Sequence, residues 1–429
     1  METDTHRLPG MILTDHTFEI PLDHSRLDGP TISVFAREVA ETGRDAESLP
    51  WLVYLQGGPG FPAPRPTTLG GWLKRALAEY RVLLLDQRGM GRSTPVTPQT
   101  LAWLPDAEAQ AEYLMHFRAD ATVRDAEWIR RELIGDDPWT VLGQSYGGFC
   151  LLHYLSAAPG GLREGIFTGG LPPIDRPIDD VYRATYRRVL GKNRLYYDRY
   201  PGDEIRAQEI VAALEFQDVR LRNGDRLTPR RFQQLGIAFG SRSGFEDVHY
   251  LLEGAFVDGP RDREISHGFL RGFETSFAFD SHPIYAMLHE PIYCQGEAAR
   301  WSAERIREEY PAFQISPGEP VTFTGEMVYP WIFEEYSDLR PLKEAAEILA
   351  THAAWPRFYD RAALARNEVP CVAAIYYDDM YVERAYSEET AAAISGLRCW
   401  VTNEYEHDAI RVAGERVLGR LLDLLHGKV

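Results

Sequence analysis

The stretch TVLGQSYGGFCLLHY, residues 140–154, decides how this chain is read. An apolar run breaks into Gly-Gln-Ser-Tyr-Gly-Gly and then resumes. The first run is short and continuous, as in a strand buried on both faces of a parallel sheet, and the second reads as a buried helix. A core has no use for a serine at that junction, and a plain turn needs fewer glycines. Gly143-Gln144-Ser145-Tyr146-Gly147 fits G-x-S-x-G. In this motif a tight strand-to-helix turn holds the serine strained, with its Oγ exposed. The residues two before and two after must be small, because the two backbones nearly touch. The helix starts at the serine, so its first amides favour nearby negative charge, and it stops at Pro159-Gly160. Ser145 is the candidate nucleophile.

The same break from apolar run to glycines occurs twice upstream. PWLVYLQGGPG has its run at Trp51–Leu55, and YRVLLLDQRGMGRS at Val82–Leu85. Between the second and third runs, TVRDAEWIRREL carries Val123, Ala126, Ile129 and Leu133 on one helical face. Strand, helix, strand in alternation argues for an open α/β sheet. Ligands of such sheets bind beyond the carboxyl ends of the strands, where all three glycine breaks fall. Residues 11–38 read as two more strands around the turn DHSRLDGP. From about 178 to 350 the chain turns to helix-like stretches rich in Arg, Glu, Tyr and Phe, without buried-strand runs. A strand returns at VPCVAAIYYDD, another follows at LRCWVTNEYEHD, and an amphipathic helix ends the chain. The expected organisation is a sheet domain over 1–171, a mostly helical cap over 172–363 and the sheet domain resumed over 364–429.

Composition narrows the function. The 429 residues are 44% hydrophobic and 26% charged, as in an ordinary globular protein. A net charge of −18 leaves no basic excess to neutralise phosphates, which excludes nucleic acid as the expected partner. No apolar stretch approaches the ~18 residues that span a bilayer, so no membrane association is expected. Cys150, Cys294, Cys371 and Cys399 are scattered, which suggests neither a zinc site nor a disulfide framework. With no signal-like N-terminus, the expected location is cytoplasmic. The sequence carries no signal for an oligomeric state.

A serine nucleophile needs a base, and the base a carboxylate to orient it. Where a G-x-S-x-G elbow opens a helix, the chain order is Ser, acid, His. Of twelve histidines, only His407 follows a resumed strand in a polar loop before the final helix. At the end of the preceding strand stand Asp378 and Asp379. Neighbours on extended chain point oppositely, so one of them faces His407; counting from Pro370 favours Asp379, with Asp378 as the alternative. One oxyanion donor is expected to be the amide of Tyr146. The other is expected from LQGGPG, with Gly58 the first choice and Gly57 the second.

GGPG after the first buried strand, DQRGMGRSTP after the second and GQSYGG at the elbow together resemble the proline iminopeptidases (prolyl aminopeptidases), serine peptidases of the α/β-hydrolase fold. FEIPLDH, YYDDMYVE and YEHD extend the match, which spans roughly 11–171 and 365–429. Gln56 stands where the family's His-Gly-Gly-Pro-Gly has histidine, and Gln144 and Tyr146 stand where its elbow reads Gly-Gly-Ser-Trp-Gly. These departures and the long insertion resemble a larger-chain branch.

The resemblance implies release of N-terminal proline from small peptides through a Ser-His-Asp triad and an acyl-enzyme, with no metal or organic cofactor. It also implies that cap glutamates hold the substrate's free α-amino group by charge-assisted hydrogen bonds. TGEMVYPWIF points to Glu326, and Glu290 in LHEPIYC is the second candidate. Tyr293, Tyr329, Trp331 and Phe333 are candidate walls of an apolar proline pocket, and Cys294 is a candidate site of thiol sensitivity. An esterase or amidase acting on a small non-peptide substrate is the alternative, since fold does not fix substrate. A non-catalytic scaffold is disfavoured, because all three triad members are available.

Overall fold

The computed structural model describes residues 2–44, 48–260, 263–276 and 279–429. Its centre is a nine-stranded sheet. In chain order the strands are β1 (Glu2–Leu8), β2 (Met11–Pro21), β3 (Thr31–Glu41), β4 (Trp51–Leu55), β5 (Arg81–Leu85), β6 (Trp139–Gln144) and β7 (Leu162–Thr168). A small ribbon, β8 (Phe256–Asp258) and β9 (Arg263–Ile265), stands apart, and β10 (Cys371–Tyr376) and β11 (Leu397–Thr402) rejoin the sheet. The spatial order is β1-β2-β3-β5-β4-β6-β7-β10-β11. β1 to β3 pair antiparallel, β3 pairs antiparallel with β5, and the six strands from β5 to β11 are parallel.

The continuous apolar runs follow from burial on both faces. Val53, Leu55, Leu83, Leu85, Ala373 and Ile375 face one side, with Val123, Ile129 and Leu151 from the helices Ala119–Ile134 and Tyr146–Ala157. Leu52, Tyr54, Val82, Leu84, Val372 and Ala374 face the other, against Trp72 and Leu73 of the helix Gly71–Leu77 and Val417, Leu418 and Leu421 of the helix Gly414–Leu425. Successive residues thus enter opposite cores, which is why these runs are apolar at consecutive positions.

Two strands of the central sheet escape the sequence reading, as does the small β8–β9 ribbon. β1 is an alternation of mostly exposed polar residues that pairs with β2 at the sheet edge, so it has no apolar signature. β7 is interrupted by Arg163 and Glu164 and by Gly165, which packs against Cys371 of β10. Between β7 and β10 lie the 22-residue helix Ile178–Arg199, the helix Gly202–Phe216 and several shorter helices, with their own aromatic core. Among the described residues no helix is long and apolar enough to cross a membrane.

At the elbow, backbone packs directly against backbone. Ser145 sits at φ 54, ψ −124. A Cβ on Gly143 would lie 2.5 Å from the Gly147 carbonyl oxygen, and one on Gly147 would run into the Leu55 carbonyl oxygen of β4. Gly147→Ala is expected to destabilise the fold by more than about 4 kcal/mol, because backbone rather than a mobile side chain must yield. Gly191→Ala, in the helix Ile178–Arg199 with no atom within 4 Å of the added carbon, is expected to stabilise by about 0.5–1 kcal/mol. Urea denaturation of the two variants against the parent checks both signs.

Candidate active site

The elbow lifts Ser145 above the carboxyl end of β6 and opens the helix Tyr146–Ala157. Two backbone bonds fix it: Ser145 N–H donates to the Thr168 carbonyl at 3.0 Å, and Gly148 N–H donates to the Ser145 carbonyl at 2.7 Å. The chain leaving β7 then passes between serine and histidine. A Cβ on Gly169 would sit 3.1 Å from His407 Nδ1, and one on Gly170 would strike the Ser145 carbonyl oxygen. Ser145 and His407 both line one cavity of about 690 Å³.

Of the two candidate acids, Asp379 meets the histidine. Its Oδ2 lies 2.7 Å from His407 Nδ1, and its Oδ1 accepts the amides of Tyr381 at 2.9 Å and Val382 at 3.1 Å. Asp379 is 2% exposed. Asp378 points outward to Arg188 at 3.3 Å with its side chain half exposed, so the alternative falls. Burial works against a charged His407 imidazole, but the Asp379 carboxylate, its hydrogen bond and Glu326 outweigh it, and the pKa is raised above 6.5. The edge of the imidazole is held by Tyr381, with ring centroids 4.8 Å apart.

Gly57 comes closer to the serine than its position as second choice suggested. A Cβ there would lie 2.6 Å from Ser145 Cβ, and both Gly57 and Gly58 line the cavity. The amides of Tyr146, Gly57 and Gly58 enter no backbone hydrogen bond among the described residues. Gln56 accepts from the Tyr54 hydroxyl at 2.8 Å, and its carbonyl accepts from Gln87 at 2.7 Å.

The two candidate glutamates separate. Glu326 is in the cavity wall, where the Tyr285 hydroxyl donates to Oε1 at 2.7 Å and His289 Nε2 lies 3.5 Å from Oε2. Burial pushes its carboxyl up, but His289, the Tyr285 hydroxyl and His407 together hold it below the ordinary value. Glu290 lies outside the wall. Its two oxygens accept the amides of Ser302 at 3.1 Å and Ala303 at 2.8 Å, at the start of the helix Ser302–Arg307. Burial pushes its pKa up to about 7. It serves the insertion's architecture, which corrects its assignment to the substrate.

The expected aromatic wall is also corrected. Tyr329, Trp331 and Phe333 are buried in the insertion core, and Tyr293 packs on Phe149 outside the cavity. The Phe and Tyr rings that line the cavity are Phe61, Phe279, Tyr285 and Tyr381. Cys294 is fully buried and its thiol is raised by that burial, which removes the ground for reagent sensitivity. Sequence reasoning missed Tyr285 and His289 as the partners of Glu326, although their four-residue spacing around the helix Pro283–Leu288 was the available signal.

A serine at a strained strand-to-helix turn, sharing a cavity with an imidazole held by a buried carboxylate at the carboxyl end of a mostly parallel sheet, marks a serine hydrolase of the α/β-hydrolase fold. A family model described as alpha/beta hydrolase fold matches residues 50–231. The chain is 50% identical over 418 residues to a proline iminopeptidase of Aeromonas sobria, covering 97% of each chain. It is 37% identical over 434 residues to a proline iminopeptidase of Aspergillus aculeatus, covering 99% of this chain and 96% of the other. A solved proline iminopeptidase from Mycobacterium smegmatis aligns at TM-score 0.46 with 13% identity, over 96% of this chain and 98% of that one. The protein belongs to the proline iminopeptidase family.

Because the base acts as neutral imidazole, activity is lost as pH falls through the raised His407 pKa. The acidic limb of kcat/KM is therefore expected above pH 6.5. Asp379→Asn is expected to lower kcat by about 10³–10⁴ and to move that limb downward, since burial then acts unopposed by the carboxylate. Asp378→Asn is expected to stay within about threefold of the parent, as for a surface ion pair. pH–rate profiles of the three proteins check the assignment.

Proposed function

We propose that this protein is an aminopeptidase that releases proline from the N-terminus of peptides. The observation that carries the reading is the Glu326 carboxylate, held by the Tyr285 hydroxyl and His289 in the wall of the cavity that also contains Ser145 and His407. An aminopeptidase must read a free, charged amine at a fixed distance from the scissile carbonyl, and a half-buried carboxylate does so by charge-assisted hydrogen bonds. Phe61, Phe279, Tyr285 and Tyr381 offer apolar surface for a pyrrolidine ring. Membership of the family, with relatives named for this activity, supports the same reading.

In this mechanism Ser145 Oγ attacks the prolyl carbonyl carbon while His407 takes its proton. The imidazolium formed is stabilised by Asp379 through Nδ1. The amide of Tyr146, with that of Gly57 or Gly58, holds the oxyanion. His407 returns the proton to the leaving amine of the shortened peptide. Water, deprotonated by His407, then attacks the acyl-enzyme and frees proline. No step requires a metal or organic cofactor. Four free cysteines accord with a cytoplasmic enzyme.

Initial rates on prolyl 4-nitroanilide, alanyl 4-nitroanilide and N-acetylprolyl 4-nitroanilide test the proposal. The free prolyl compound is expected to be cleaved best, and the acetylated one hardly at all. Ser145→Ala abolishes cleavage. Glu326→Gln is expected to lower kcat/KM for the free-amine substrate by roughly 10- to 100-fold, the worth of a hydrogen bond to a charged group. Equal cleavage of the acetylated compound would replace this reading with a general amidase or esterase.

A further inference from the structure

The cavity is larger than proline needs. Its volume of about 690 Å³ lies in the range that encloses whole drug-sized ligands, ~300–1,000 Å³. The space beyond the proline pocket is therefore available to the leaving part of the peptide, and its walls are charged. Glu326 supplies the negative side. Two arginines, Arg65 and Arg411, line the same cavity.

The two arginines are not equivalent. Arg65 is committed to Asp86, with Nη1 2.9 Å from Oδ1 and Nη2 on Oδ2. Arg411 is exposed and forms no ion pair among the described residues. Among the described residues its side chain makes one hydrogen bond, a long one of 3.4 Å from Nη2 to Gln144 Oε1, beside the nucleophile. It stands on the short helix Ala409–Val412, four residues after His407, and its charge opposes protonation of the imidazole. It therefore lies close both to the elbow that carries Ser145 and to the imidazole that hands a proton to the departing amine. Asp408, also in the wall, is engaged through Oδ1 by the Arg242 amide at 3.2 Å.

We propose that Arg411 receives the C-terminal carboxylate of a dipeptide substrate, so that the cavity reads a free amine at Glu326 and a free carboxylate at Arg411 across one scissile bond. The inference rests on the aminopeptidase reading and names its substrate class: prolyl dipeptides with an unblocked C-terminus. A guanidinium left without a carboxylate partner in a charged cleft is suited to bidentate capture of one.

The test compares kcat/KM for Pro-Ala and Pro-Ala amide, with prolyl 4-nitroanilide measured alongside. The parent enzyme is expected to prefer the free acid by about tenfold or more, as for a charge-assisted hydrogen bond. Arg411→Gln is expected to bring the acid-to-amide ratio close to one, and Arg411→Lys to restore part of the preference. Using the ratio within each variant removes any general loss of activity from the comparison. A parent enzyme without acid preference overturns the proposal, as does a preference that survives in Arg411→Gln. Cleavage of the anilide but of neither dipeptide overturns it while leaving the aminopeptidase reading in place. Failure on all three substrates removes that reading itself.

Discussion

One backbone constraint organises this molecule: a serine, not a glycine, held at positive φ where β6 becomes a helix. Such a conformation costs about 1–3 kcal/mol and persists only where its surroundings over-determine it. Here the surroundings are backbone. The Leu55 carbonyl of β4 presses on Gly147, the Gly147 carbonyl on Gly143, and Gly170 on the serine itself. The strain keeps Oγ out of the core and turns the first amides of the helix toward the site. Gly57, pressed against the serine from the end of β4, is placed by the same packing. Nucleophile and candidate oxyanion donors thus share one rigid origin, the centre of a sheet buried on both faces.

The rest of the site is assembled from distant parts of the chain. Asp379 and His407 come from the strands and loops after the insertion, and Glu326 from the insertion. The loops that carry the histidine and the acid are tied to the insertion at several points. His407 N–H donates to the Gly240 carbonyl at 3.2 Å, Arg242 N–H to Asp408 Oδ1, and the Tyr381 hydroxyl to the Ile237 carbonyl. Lys192, 3% exposed, binds both Glu406 oxygens at 2.6 Å, one residue before the histidine. A buried cation without that partner would be costly, so the pair holds the loop against the helix Ile178–Arg199. The insertion therefore supplies Glu326, the carboxylate proposed to read the amine, and also steadies the histidine loop.

Much of this was legible in the sequence because its causes are local. Strands buried on both faces leave continuous apolar runs, and the elbow leaves its glycines. A base that must follow the last strands leaves one candidate among twelve histidines. What was illegible depends on tertiary contact. β1 has no continuous apolar face because it is held mainly by pairing with β2 at the sheet edge, with Leu8 alone of its described side chains packed on the core. Glu290 and Glu326 look alike in sequence; only the fold turns one to backbone amides and the other into the cavity. The insertion's aromatics were assigned to the pocket on proximity along the chain. Most of them make the insertion's own core, whereas Phe61, which does line the cavity, comes from the loop after β4. Alternation implied only that one of Asp378 and Asp379 faces the histidine, and the count from Pro370 favoured Asp379; both lie in the turn just past β10, where two amides anchor Asp379.

The most direct measurement is covalent labelling with a diphenyl phosphonate analogue of proline, prepared with a free and with an acetylated amine, followed by peptide mass mapping. The account predicts one label per chain, on Ser145, acquired much faster from the free-amine reagent. Labelling at another residue, or equal rates for the two reagents, would contradict it.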